Sequence, residues 1–76
     1  GRKPLVLTVE QTVAEACRAM TRRNMGSVLI ADKRGRLKGI FTGRDALRTL
    51  AKTKNASATR LTKVMTPDPA TMAPET

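Results

Sequence analysis

The segment Gly39-Ile40-Phe41-Thr42-Gly43-Arg44-Asp45 places a hydroxyl, a guanidinium and a carboxylate side by side, between an apolar run and a helical pattern. The first turn of a helix offers free N–H groups and the positive end of its dipole, so such a junction suits a phosphate. Thr42 can donate a hydroxyl hydrogen bond and Arg44 can add charge. Asp45 carries the phosphate's own sign; its chemistry suits the vicinal diol of a ribose instead. Phosphate plus ribose points to a nucleotide. The same four residues also fit an N-cap with an acid three positions on, which only stabilises a helix start, and the pattern leaves both readings open. The glycine spacing and Gly-Lys-Ser/Thr ending of a phosphate-binding P-loop are missing and no carboxylate cluster for a metal accompanies the segment, so nucleotide hydrolysis is not supported.

Composition narrows the chemistry further. Among 76 residues there is no His and one Cys, Cys17. That removes a His-based acid/base pair, a thiolate cluster for zinc and an intrachain disulfide. No catalytic residue and no metal ligand is expected, and the chain is read as not an enzyme. Fifteen Lys and Arg against six Asp and Glu give 15 − 6 = +9, which favours an anionic partner. Phe41 is the only aromatic residue, so the charge lacks the rings that usually stack on single-stranded nucleic acid. The basic groups Arg2-Lys3, Arg22-Arg23, Lys33-Arg34, Arg36, Lys38, Lys52 and Lys54 read as a solvated face, with nonspecific binding of nucleic acid at low salt as an accompaniment. The longest apolar stretch, Val28-Leu29-Ile30-Ala31, is far short of the roughly 20 residues of a membrane span, and no signal-peptide core follows the first residues. A soluble, cytoplasmic chain without a membrane partner is expected.

These residues must be positioned by a small core, since a chain of this size buries only about three-fifths of its surface on folding. Leu5-Val6-Leu7-Thr8-Val9 predicts a short strand. Thr12 with Glu15 forms a capping box, and Val13, Ala16, Cys17 and Met20 give a helix ending near Arg22-Arg23, with Asn24 or Gly26 as its left-handed stop. Cys17 is then a small buried hydrophobe. Ser27-Val28-Leu29-Ile30-Ala31 predicts a strand buried on both faces, and a turn at Asp32-Lys33-Arg34-Gly35 leads to a second from Leu37 to Thr42. From Gly43 a second helix sets Ala46, Leu47, Leu50 and Ala51 on one face and leaves Arg44, Arg48 and Lys52 outside. Residues 53–63 read as a polar loop. The proline-rich stretch 64–76 reads as extended, and Pro69 to Thr76 loosely echoes the N-terminal pattern.

The order extended segment, helix, strand, turn, strand, helix resembles the cystathionine-beta-synthase (CBS) domain. The matching pieces are Thr8-Val9, Ala14-Glu15-Ala16, Met20, Gly26 to Asp32, Gly35-Arg36-Leu37, Gly39 to Asp45 and Val64-Met65-Thr66-Pro67. The resemblance implies an α+β fold with a β-α-β-β-α unit, a small sheet packed against two helices. Residues 1–63 would form one CBS motif, and residues 64–76 a linker and the start of a second, truncated or disordered. That is half of a Bateman module, expected to pair with a second CBS unit as a homodimer. It further implies a regulatory module that senses an adenine nucleotide of the AMP, ADP or ATP class between paired units, in energy sensing or signal transduction, with no required cofactor. Thr42 and Arg44 would then face the phosphate and Asp45 the ribose. Gly26 and Ser27 match positions on the phosphate side, without the His or Arg some members carry there. Ile40 matches a position beside the base, and Leu5 and Val6 match positions that contact adenine. The alternative from the residues alone is a nucleic-acid-binding or dimerisation module that uses the basic surface.

Overall fold

In the computed structural model, which describes residues 3–68, the elements run β1 (Val6–Thr8), α1 (Val13–Arg23), β2 (Ser27–Ala31), β3 (Leu37–Thr42), α2 (Gly43–Lys52), a 3-10 turn (Ala56–Ala58), α3 (Leu61–Val64) and β4 (Thr66–Pro67). This is a small α+β fold. The sheet has four strands in the order β1-β2-β3-β4, with β1 parallel to β2 and the other two pairs antiparallel. The parallel pair needs a crossover, and α1 supplies it. Thr12 and Glu15 cap α1 in the expected reciprocal way, and Asn24 ends it in the left-handed conformation at φ 53°.

Asp32 organises the β2–β3 turn by accepting hydrogen bonds from the N–H groups of Arg36 and Arg34, both at 2.9 Å. The Arg36 N–H above all, with the Arg34 N–H and the nearby charges of Arg36 and Lys38, holds the Asp32 carboxyl below the ordinary aspartate range. Gly35, at φ 82°, takes the one position in the turn where a Cβ would be strained.

Strand alternation sorts the sheet into two faces. Val28, Ile30 and Phe41 meet Val13, Ala16 and Met20 of α1, Ala46 of α2 and Leu61 of α3 in one buried cluster. On the opposite face the register aligns Val6, Leu29, Ile40 and Thr66 in a single row. Val28 and Ile30 are buried but Leu29 only half so, which corrects the expectation of a β2 strand enclosed on both sides. Cys17 is likewise half-buried rather than a core residue.

Three further expectations change. The buried stripe of α2 is Asp45, Ala46 and Thr49, while Leu47 and Leu50 are 69% and 64% exposed. Residues 53–63 are not a plain loop: Ala56 and Leu61 are buried anchors, and the Val13 and Leu61 N–H groups bond to the Thr59 and Gln11 carbonyls. The division between residues 63 and 64 falls inside α3, and Thr66–Pro67, within the stretch read as extended, adds a fourth strand against β3 to the three read from the sequence. The remainder of the expected second start, residues 69–76, lies outside the described residues. No helix of the described residues is long and apolar enough to cross a membrane.

Candidate functional site

The site forms where β3 hands over to α2. Thr42 is the N-cap: its Oγ1 accepts from the Asp45 N–H at 3.2 Å, while the Thr42 N–H donates to Asp45 Oδ2 at 2.9 Å. The Thr42 hydroxyl also reaches Oδ2 at 3.1 Å. The capping reading of these residues is therefore realised in full. The cap holds the Asp45 carboxylate at the head of α2.

Two further side chains converge on that carboxylate. Arg48 Nη1, one turn along α2, donates to Oδ1 at 2.8 Å, and Thr66 Oγ1 from β4 lies 3.2 Å from Oδ1 and 3.4 Å from Oδ2. Asp45 is only 3% exposed. A carboxylate has about four lone-pair positions, and here four donor groups surround it, so its burial is compensated from within the chain. An incoming diol would have to replace Arg48 or Thr66, the two donors from outside the capping box. Sequence reasoning placed Arg48 on the outer side of the helix and gave Thr66 no role at the site. The Asp45–Arg48 spacing of three on a helix was the one available signal.

Gly26 and Ser27 lie beside this junction: the Gly43 N–H donates to the Gly26 carbonyl at 3.1 Å, and Ser27 pairs with Thr42 in the sheet. The first-turn N–H groups of Gly43 and Asp45 are thus both spent on protein acceptors. Arg44 is exposed on the first turn of α2. Ile40 lies two residues up β3 on the same strand face as Thr42, and Val6 joins it through Leu29 across the sheet. Leu5 precedes β1, where its carbonyl accepts from the Leu29 N–H at 2.9 Å. The structure thus gathers Gly26, Ser27, Thr42 and Asp45 at one end of the sheet, with Ile40, Leu29 and Val6 in a row across it. A separate cavity of about 390 Å³ between α1 and α2 is lined by Cys17, Met20, Met25, Gly26, Gly43 and Ala46 among others, and of the expected site residues it touches Gly26 alone. Among the described residues no group of His, Cys, Asp and Glu is arranged to hold a metal ion.

Comparison with known proteins matches this arrangement to one family. The sequence profile of the CBS domain matches residues 1–52. A CBS domain-containing protein of Arabidopsis thaliana, CBSCBSPB5, is 40% identical over 68 residues, which is 88% of this chain and 12% of that protein. The Meiotically up-regulated gene 70 protein of Schizosaccharomyces pombe is 37% identical over 70 residues, 91% of this chain and 10% of its own length. Among solved structures, the CBS-domain containing protein ATU1752 of Agrobacterium tumefaciens superposes with a TM-score of 0.83 at 25% identity, covering 90% of this chain and 52% of that one. The CBS domain pair of protein MJ0100, solved in complex with methylthioadenosine and S-adenosyl-L-methionine, gives 0.76 at 25% identity over 90% of this chain and 54% of that one. The chain spans about an eighth of the curated relatives it matches and about half of these solved chains.

Proposed function

The chain belongs to the CBS-domain family, and on that premise we propose that it is a regulatory, non-catalytic module that binds an adenine nucleotide between two paired CBS units. The observation that carries this reading is the Asp45 carboxylate, buried at the head of α2 beside Thr42, Gly26 and Ser27 and continuous with the apolar row of Ile40, Leu29 and Val6. A ribose diol at Asp45 would set the base along that row and the phosphate toward Thr42 and Arg44. Family membership supports the ligand class, as does the adenosine-bearing ligand pair of MJ0100. The second unit would be another copy of this chain or a further unit of the same protein. Signalling follows as a population shift: the nucleotide must bind one arrangement of the pair better than another.

Calorimetric titration with AMP, ADP and ATP at physiological salt tests this, with mass by light scattering on the same samples. Asp45→Asn keeps one acceptor oxygen for the Thr42 N–H and removes the charge. The expected result is saturable binding to the wild type that falls at least about tenfold in the variant, the loss of a charge-assisted diol contact. Equal binding by both, with the variant folded by circular dichroism, would remove Asp45 from the site. No binding by a paired wild type would leave Thr42 and Asp45 as a helix cap only.

A further inference from the structure

Along α2, the stripe that begins with Asp45 continues through Arg48, Thr49, Lys52 and Thr53, and across from it stands α3. Between them lies a cleft of about 200 Å³ lined by Arg48, Thr49, Lys52, Thr53, Lys63 and Val64. We propose that this cleft is an anion site, separate from the head of α2, that takes a single phosphoryl group between Arg48, Lys52 and Lys63. The proposal does not depend on the nucleotide reading.

Three observations carry it. Among the described residues three cationic ones and no acid line the cleft; the Asp45 carboxylate, bonded to Arg48, is occupied by Thr42 and Thr66 as well. The Arg48 guanidinium is already ordered, since Nη1 is fixed on Asp45 at 2.8 Å while the side chain remains 51% exposed. Its other N–H groups stay available in a planar fork whose orientation has been set, which lowers the ordering cost of binding. The cleft also has room for an oxyanion group: its volume of about 200 Å³ lies below the roughly 300 Å³ at which pockets for drug-sized ligands begin. A Lys in the last turn of α2 is in itself expected from the helix dipole. Lys63 likewise falls in the last turn of α3, and what the fold adds is that the two helix ends meet at one cleft.

Inorganic phosphate is the probe, titrated into the full chain at constant ionic strength and followed by amide chemical shifts. The expected result is saturable shifts at Lys52, Thr53, Lys63 and Val64. Lys52→Gln with Lys63→Gln, both exposed positions, should weaken this binding by about tenfold or more through loss of two charge-assisted contacts. An unchanged amide spectrum elsewhere would show that the fold is retained. Shifts that rise linearly without saturating, that are as large at Lys33, Arg34 and Arg36, or that centre on Gly43 and Arg44 would overturn the proposal. So would saturable binding that the double variant leaves unaltered.

Discussion

Asp45 serves two masters whose demands conflict. For stability, its oxygens should be surrounded by the protein's own donors, as they are by Thr42, Arg48 and Thr66. For ligand binding, some of those donors must yield. Thr66→Val separates the two, because it keeps the side-chain shape and deletes only the hydroxyl. The variant should lose about 0.5–1.5 kcal/mol, the usual net value of one hydrogen bond. For a chain of this size that lowers Tm by about 4–8 °C per kcal/mol. Nucleotide affinity should rise at the same time, since one competitor for the carboxylate is gone. A thermal melt and a calorimetric titration on the same variant read the two effects, and a fall in both would mean that Thr66 supports the ligand rather than competes with it. Both capping boxes, Thr12 with Glu15 and Thr42 with Asp45, were legible because their partners are three residues apart. Thr66 was not, because it reaches Asp45 from 21 residues away and only through a strand pairing that a sequence does not display.

That pairing depends on Gly39. A Cβ built there would sit 2.5 Å from the Thr66 carbonyl oxygen, 3.0 Å from the Met65 sulfur and 3.2 Å from the Pro67 Cα. Two of these neighbours are backbone, so only the strand as a whole can give way. Gly39→Ala should therefore push β4 off β3, break the Asp68 N–H bond to the Lys38 carbonyl, now 2.9 Å, and speed hydrogen exchange at Asp68. Protection in β1, β2 and the β2-facing side of β3 should persist. An unchanged exchange rate at Asp68 would show that β4 slides without detaching. The β2–β3 unit and both long helices were legible from apolar periodicity and turn chemistry. The stretch 53–63 was not: Ala56 and Leu61 are isolated apolar residues in a polar run, and their burial becomes visible only when α1 and the sheet surround them. Periodicity also misjudged α2, where it grouped Leu47 and Leu50 with Ala46. The helix instead turns Asp45 and Thr49 inward, with Thr49 donating its hydroxyl to the Asp45 carbonyl at 2.8 Å. Buried polar residues that satisfy each other locally leave no apolar signature.

At the scale of the whole molecule, the large apolar side chains exposed among the described residues are Val6, 52% exposed, on the sheet row with Leu29 and Ile40, Leu37 at the start of β3, and Leu47 with Leu50 on α2. The proposed ligand would lie along the Val6 row, so that face is the one expected to close against a second unit. In a two-fold symmetric pair each residue enters the interface twice. Losing about 1.5 kcal/mol of apolar burial per side then amounts to about 3 kcal/mol per dimer, a rise in Kd of more than about a hundredfold. Val6→Lys should show this by sedimentation velocity and lose nucleotide binding in parallel. Leu47→Lys with Leu50→Lys should leave nucleotide binding intact. Charge gives an independent check. Each chain carries +9, so pairing works against mutual repulsion, and raising salt should strengthen association. Binding to a polyanion would weaken under the same change, because counterion release drives it. If added salt instead dissolves the pair while Val6→Lys leaves it untouched, the contact is ionic and the apolar sheet row is not the interface.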